Sequence, residues 1–399
     1  MQKKLRILIV SETYPPDMNG AAIFTQRLAK EMSKRGNEVL MIAPNIRFKD
    51  EVEKDEASFT ILRLKSFSAK PIHPYFRVVD MVGLRRRMKN KIKEFKPDII
   101  HIQNHFLLGS TALKIARALD IPIMGTNHFM PENLLQYIPE FIHKEAKNML
   151  WRHFKRVYKK LDFITAPSFA ALNMVKEKGL TNNMMVISNG IDLHKFKKTS
   201  KDKALMNKYS ITDNLPIFLF VGRMEHDKNI DLLLKAIKIA LSQTKFKVLL
   251  VGRGKDDKAL MKMSKKLGLE ESVVFTGRID DDELEKMYSL ADIYLATGSA
   301  ELQGIAVMEA MTAGLPVLAI NAIALPELVI DGVNGYLFEK DEYNLAEKII
   351  KILKNKSEWH KMSQKSLEII NGHGINKSMS LFEETYRKVI SDYKAQTLS

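Results

Sequence analysis

The chain has 399 residues, no cysteine and a formal net charge of +16, from 63 Lys+Arg against 47 Asp+Glu. That length exceeds what one hydrophobic core usually supports and predicts two domains, and a hydrophobic content of 45% excludes a disordered chain. The missing cysteines exclude disulfides, thiolate nucleophiles, iron–sulfur clusters and sulfur-ligated zinc.

The charge is uneven. Residues 1–190 hold 32 Lys+Arg and 18 Asp+Glu, net +14, whereas residues 191–399 hold 31 and 29, net +2. A basic half beside a neutral half suggests an anionic partner, whether a membrane surface, a nucleic acid or a phosphorylated substrate; a lysine-clad soluble surface is the plain alternative.

In the first half, short apolar runs at Arg6–Ser11, Glu38–Ala43, Ile99–Ile102, Pro122–Thr126, Phe163–Ala166 and Met185–Ile187 predict strands. Amphipathic stretches such as Gly20–Arg35 predict the helices between them. The first apolar run stops at Ser11-Glu12, too short for a secretory core, and no segment reaches the roughly 18 apolar residues that span a bilayer. The protein is therefore expected in the cytoplasm. Strand–helix alternation predicts parallel sheets covered on both faces, with ligands at the carboxyl ends of the strands. Two residues of this half meet that condition. Gly20 follows the first strand and opens a helix, where a phosphate can approach backbone N–H groups, although a simple turn needs glycine too. His128 follows the strand ending at Thr126 and suits a hydrogen bond to a reacting hydroxyl or a phosphate oxygen, although a lone histidine is more often structural. His101 and His105 flank Asn104 without a clear third metal ligand.

The junction falls at Ser188-Asn189-Gly190-Ile191-Asp192, ahead of a lysine-rich stretch. We expect a first domain of residues 1–188 completed by a C-terminal helix from 378–399, and a second of residues 189–377. The second half repeats the rhythm with strands at Ile217–Val221, Lys247–Val251, Val273–Thr276, Ile293–Leu295, Val317–Ile320 and Tyr336–Phe338. The fold class expected is α/β, two doubly wound Rossmann-like domains facing across a cleft. After the first of these strands, Arg223 and Lys228 share one loop, and a guanidinium fork with an ammonium suits a diphosphate; two solvated cations is the plain alternative. Farther on, Glu301 and Glu309 stand eight residues apart with Gly304 between them, where a helix is expected to begin. Two carboxylates can each grip a sugar, and the helix start at Gly304-Ile305 offers N–H groups to a phosphate. Asp280-Asp281-Asp282 leads into a helix start and reads as capping.

Together these segments resemble the family 4 retaining glycosyltransferases with the GT-B fold. The resemblance rests on the E-x7-E element Glu301 to Glu309, on Leu325–Gly335 after it, on Asn189-Gly190-Ile191-Asp192, on Val221-Gly222-Arg223 with Lys228-Asn229, and on Pro15–Gly20. It implies that Arg223 and Lys228 hold the donor diphosphate, that Glu309 binds the ribose and that Glu301 contacts the donor sugar. It further implies backbone contacts from Gly304 and Ile305, and Gly20 and His128 on the acceptor side. The catalytic set expected is therefore His128, Glu301, Arg223 and Lys228. The nucleotide-diphosphate sugar is a co-substrate; no tightly bound cofactor is expected and no metal is required. Leu302-Gln303 and Asn19-Gly20 depart from the family pattern and leave the donor sugar open.

Two basic stretches, residues 77–96 with eight basic and two acidic residues and 144–160 with seven and one, read as amphipathic helices. They lean toward lipid-acceptor members such as glycosyldiacylglycerol synthases and phosphatidylinositol mannosyltransferases, placed peripherally on the inner face of the cell membrane. The expected activity is retaining transfer of a hexose, from a UDP-glucose or GDP-mannose type of donor, to a lipid such as diacylglycerol. A soluble sugar or cell-wall precursor is the alternative acceptor. A basic nucleic-acid-binding protein is the alternative of another class, and no nucleic acid is expected because it leaves the Glu301/Glu309 loop without purpose.

Overall fold

In the computed structural model of the protein, which describes residues 3–16, 19–69, 77–135, 137–212 and 215–398, contacts group the chain into two units. Unit 1 comprises Met1–Asn189 with Asn376–Ser399, and unit 2 comprises Gly190–Ile375.

Unit 1 is built on strands β1 (Arg6–Val10), β2 (Glu38–Pro44), β3 (Glu51–Lys54), β4 (Thr60–Leu64), β7 (Ile99–Ile102), β8 (Ile123–Thr126), β9 (Phe163–Ala166) and β10 (Asn183–Val186), with a separate hairpin of β5 (Ser66–Ser68) and β6 (Arg77–Val79). The order across the large sheet is β10-β9-β8-β7-β1-β2-β4-β3. Its apolar runs explain that order. Leu8, Ile9 and Val10 of β1 are fully buried, as only a strand covered on both faces allows. Helix α1 (Gly20–Lys34) turns Phe24, Leu28 and Met32 inward, and Asn19 caps it by accepting from the N–H of Ala22 at 2.9 Å. Within the first-loop motif, Asp17 and Met18 lie outside the described residues. The last helix, Ile375–Leu398, packs Phe382 and Tyr386 into unit 1 from Asn376 onward.

Unit 2 holds β11 (Ile217–Val221), β12 (Lys247–Val251), β13 (Val273–Gly277), β14 (Ile293–Ala296), β15 (Val317–Ile320) and β16 (Gly335–Phe338) in the order β13-β12-β11-β14-β15-β16, all parallel. The order reverses between β11 and β14, and in such sheets the ligand site lies beyond the carboxyl ends at that switch. Both units are thus doubly wound α/β layers, as the alternation predicts.

Three local expectations change. Alternation implies only parallel pairing, yet β3 runs antiparallel to β4, because a short connection through Asp55 and Ser58 turns the chain straight back. Residues 77–96 are not one helix. They begin as strand β6, turn at Gly83 with φ +63°, and become helix α2 only over Leu84–Phe95. The second basic stretch is a helix, His143–Tyr158, but its apolar face is spent on its own domain, since Phe154, Val157 and Tyr158 are buried. Among the described residues no helix is long and apolar enough to cross a membrane.

Candidate functional site

The loops that follow β11 and β14, neighbouring strands, are stitched together by polar contacts. Asn229 accepts the left-handed backbone (φ +49°) that ends the turn His226–Lys228 and starts the helix Ile230–Ala240. Its side-chain amide donates to the carbonyl of Thr297 at 2.8 Å and to Ser299 Oγ at 3.1 Å. In return, Thr297 Oγ1 donates to the carbonyl of Lys228, and the N–H of Ser299 donates to the carbonyl of Asp227 at 3.2 Å.

This frame brings Arg223, Lys228 and Glu301 together. Lys228 Nζ lies 2.5 Å from Glu301 Oε1 and 3.3 Å from Asp227 Oδ2. Arg223 pairs with Glu225 and reaches Asp227 Oδ2 at 3.6 Å. Burial by itself depresses the Lys228 ammonium, but Glu301 and Asp227 outweigh it and hold the group above its ordinary range, so it stays charged. Glu225 and Asp227 were not singled out from sequence. They stand inside the same loop as Arg223, and acids alternating with bases after a strand end were the available signal.

Gly304 has φ +77°, and a Cβ there would lie 2.8 Å from Leu325 Cδ2, so this helix start requires glycine. Helix Ile305–Thr312 follows with no side chain capping its first N–H groups. Glu309 sits one turn in, half-buried, and accepts from Tyr288 Oη at 2.8 Å. Burial first, and then the Glu309 charge, push the Tyr288 phenol far above its usual range, so it remains a donor. Tyr288 is invisible in the motif because it comes from a different helix, Asp281–Leu290, whose start is capped by Asp280 accepting from the N–H of Glu283 at 2.8 Å.

Gly20 and His128 belong to unit 1. Gly20 is the exposed first residue of α1. His128 follows β8, packs at a tilt against Phe24 of α1 with ring centroids 4.8 Å apart, and places Nε2 3.1 Å from Gln103 Oε1. Burial lowers its imidazole to about 3, so it is neutral at physiological pH. Beside it, His101 spends both ring nitrogens on Tyr386 Oη (2.8 Å) and Thr126 Oγ1 (2.7 Å). His105 lies in an aromatic nest of Phe106, Phe129 and Phe154. Among the described residues no group of three or more His, Asp or Glu is arranged to hold a metal ion. Glu12, after β1, is fully buried and accepts from the N–H groups of Leu108 (2.7 Å) and Gly109 (3.1 Å) at the start of helix α3 (Leu107–Ala118).

The family profile described as Glycosyl transferases group 1 matches residues 201–368, and that described as Glycosyltransferase Family 4 matches residues 18–195. Among curated relatives, the alpha-monoglucosyldiacylglycerol synthase of Streptococcus pneumoniae is 29% identical over 92% of this chain and 82% of its own length. A GDP-mannose-dependent alpha-mannosyltransferase of Corynebacterium glutamicum is 25% identical over 84% of this chain and 77% of its own. Among solved structures, a sucrose-phosphate synthase of Thermosynechococcus elongatus superposes with a TM-score of 0.82 at 18% identity, covering 97% of this chain and 99% of that one. Anabaena Alr3699/HepE, solved in complex with UDP-glucose, gives a TM-score of 0.74 at 20% identity over 96% and 99%. At these identities the structural likeness establishes the fold, that of the GT-B enzymes.

Proposed function

Because the chain belongs to the glycosyltransferases, matched by their profiles over residues 18–195 and 201–368, we propose that it moves a hexose from a nucleotide-diphosphate sugar to a lipid hydroxyl with retention of configuration. The carrying observation is the cluster of Arg223, Lys228 and Glu301 at the carboxyl ends of β11 and β14. In this reading the two cations meet the diphosphate and stabilise the charge that develops on it as the bond to the sugar breaks. Glu301 accepts from hydroxyls of the sugar and Glu309, braced by Tyr288, accepts from the ribose. Gly304 and Ile305 present backbone N–H groups to a phosphate. Gly20 and His128 serve the acceptor side, the neutral imidazole as a hydrogen-bonding partner of a hydroxyl.

A diacylglycerol-type acceptor is supported by the name of one relative, an alpha-monoglucosyldiacylglycerol synthase, and a GDP-mannose type of donor by the name of another. The lipid acceptor is also supported by the surface around α2, where Met81, Arg85, Arg86 and Lys89 line a shallow groove of about 470 Å³ and Met81 and Val82 are 69% and 81% exposed. Apolar tips among cations suit an anionic membrane face, to which the protein would attach peripherally from the cytoplasm. The experiment is a product screen with UDP-glucose and GDP-mannose against diacylglycerol vesicles and soluble sugars. Transfer to lipid is expected; transfer to soluble sugars alone overturns the lipid acceptor, and no transfer from either donor overturns the activity.

A further inference from the structure

The donor-site cations are already neutralised from within. Arg223 and Lys228 face three carboxylates, Glu225, Asp227 and Glu301. These acids differ in freedom. Glu225 and Asp227 have side chains only 2% and 7% exposed, and the Asp227 backbone is tied to Ser299, so they stay with the cations. Glu301 is 30% exposed and holds Lys228 through a single oxygen, Oε1. Gly298 leaves room for this contact: a Cβ there would stand 3.1 Å from Lys228 Cδ and 3.2 Å from Glu301 Oε1. A diphosphate that engages the ammonium competes with Glu301 for it.

We propose that Glu301 is a specificity-determining counter-ion: it pairs with Lys228 until the hexose of a donor takes over its carboxylate, so the site selects nucleotide sugars against bare nucleoside diphosphates. The inference rests on the donor-site reading above. A bare diphosphate displaces Glu301 from Lys228 and leaves that carboxylate uncompensated beside the ligand's own negative charge. A nucleotide sugar supplies hydroxyl donors to the displaced carboxylate, so both charges end satisfied. After transfer the sugar is gone, Glu301 returns to Lys228, and the nucleoside diphosphate product is expelled. One residue thus favours the donor on entry and disfavours the product on exit.

The test is titration calorimetry of UDP and GDP with the full chain. For whichever nucleotide the wild type binds, Glu301→Gln and Glu301→Ala are both expected to bind it about tenfold tighter, the effect of relieving roughly 1.4 kcal/mol of ion-pair competition. The gain should vanish in a Lys228→Ala background, because the competition then has no object. Unchanged or weaker binding in both Glu301 variants, with melting curves showing them folded, overturns the exchange while leaving the donor site intact. A gain that persists without Lys228 also overturns it. A wild type that binds neither nucleotide overturns the donor-site reading itself.

Discussion

In the proposed donor site Lys228 and Glu309 meet different parts of a donor, so their substitution should separate. Lys228→Ala removes a half-buried cation that the proposal sets against developing charge, so kcat should fall by about 10²–10³-fold with a smaller change in KM. Glu309→Gln weakens an acceptor of hydroxyl donors, so KM for the donor should rise about tenfold with kcat less affected, as steady-state kinetics would show. Full activity in both variants would sink the assignment. Glu12 carries a second prediction. Burial, only partly offset by the N–H groups of Gly109 and Leu108, raises its carboxyl from an ordinary 4.5 to about 7. The folded chain therefore keeps a proton that the unfolded chain has released, and the stability this contributes is complete below pH 4.5 and lost as pH rises through 7. The interval corresponds to about 3 kcal/mol. His101, His105 and His128 work in the opposite sense. Their imidazoles are held at about 3 by burial, so stability is lost as pH falls from 6.5. Three imidazoles outweigh one carboxyl, so thermal melts should rise with pH to about 7 and level off there, and Glu12→Gln, which keeps the acceptor without the charge, should melt higher than wild type at pH 8. A Glu12→Gln melt below wild type at that pH would refute it.

The elements show where pattern reading stops. Strands such as Leu8–Val10 and the helix at Gly304 are legible because their local signals, an unbroken apolar run and a glycine before a buried stretch, agree with their packing. The stretch 77–96 misleads because its basic and apolar residues are interleaved in both its strand and its helix, and only Gly83 marks the break. The helix His143–Tyr158 misleads differently: its amphipathicity is real, but Phe154 and Tyr158 face the sheet of unit 1 and leave Met149, 61% exposed, as its chief apolar tip. Membrane attachment, if it runs through α2, should therefore depend on Arg85, Arg86 and Lys89. Charge reversal at all three should cut sedimentation with anionic vesicles by at least tenfold at low salt and leave transfer to a water-soluble acceptor analogue unchanged, since each neutralised lipid charge contributes about 1 kcal/mol. Vesicle binding that ignores both the substitutions and salt would reject this surface.

At the scale of the molecule, the chain returns to its beginning. The helix Ile375–Leu398 joins unit 1 through Tyr386 Oη on His101, Arg387 on the carbonyl of Lys3 (2.7 Å) and Tyr393 on Asp120 (2.8 Å). Tyr386→Phe leaves a ring nitrogen of buried His101 without its partner and should lower stability by about 1–3 kcal/mol, read as a lower denaturation midpoint, with UDP or GDP binding in unit 2 unaltered. An unchanged midpoint would show that the contact is not stabilising. The excess charge follows the units: unit 1, with the last helix included, nets +15 and unit 2 nets +1.

The sequence by itself determined the fold class and singled out the candidate site residues, because strand and helix periods, glycine turns and the E-x7-E spacing are local and survive without coordinates. Tertiary structure decided which of those residues meet. The pairing of Lys228 with Glu301 spans 73 positions, and that of Glu309 with Tyr288 joins two helices. Neither contact has a periodic signature, because each is made by strand order and helix packing. The same holds for the apolar face of His143–Tyr158: whether it meets a sheet or a membrane is settled by what packs beside it, which no pattern within the helix records.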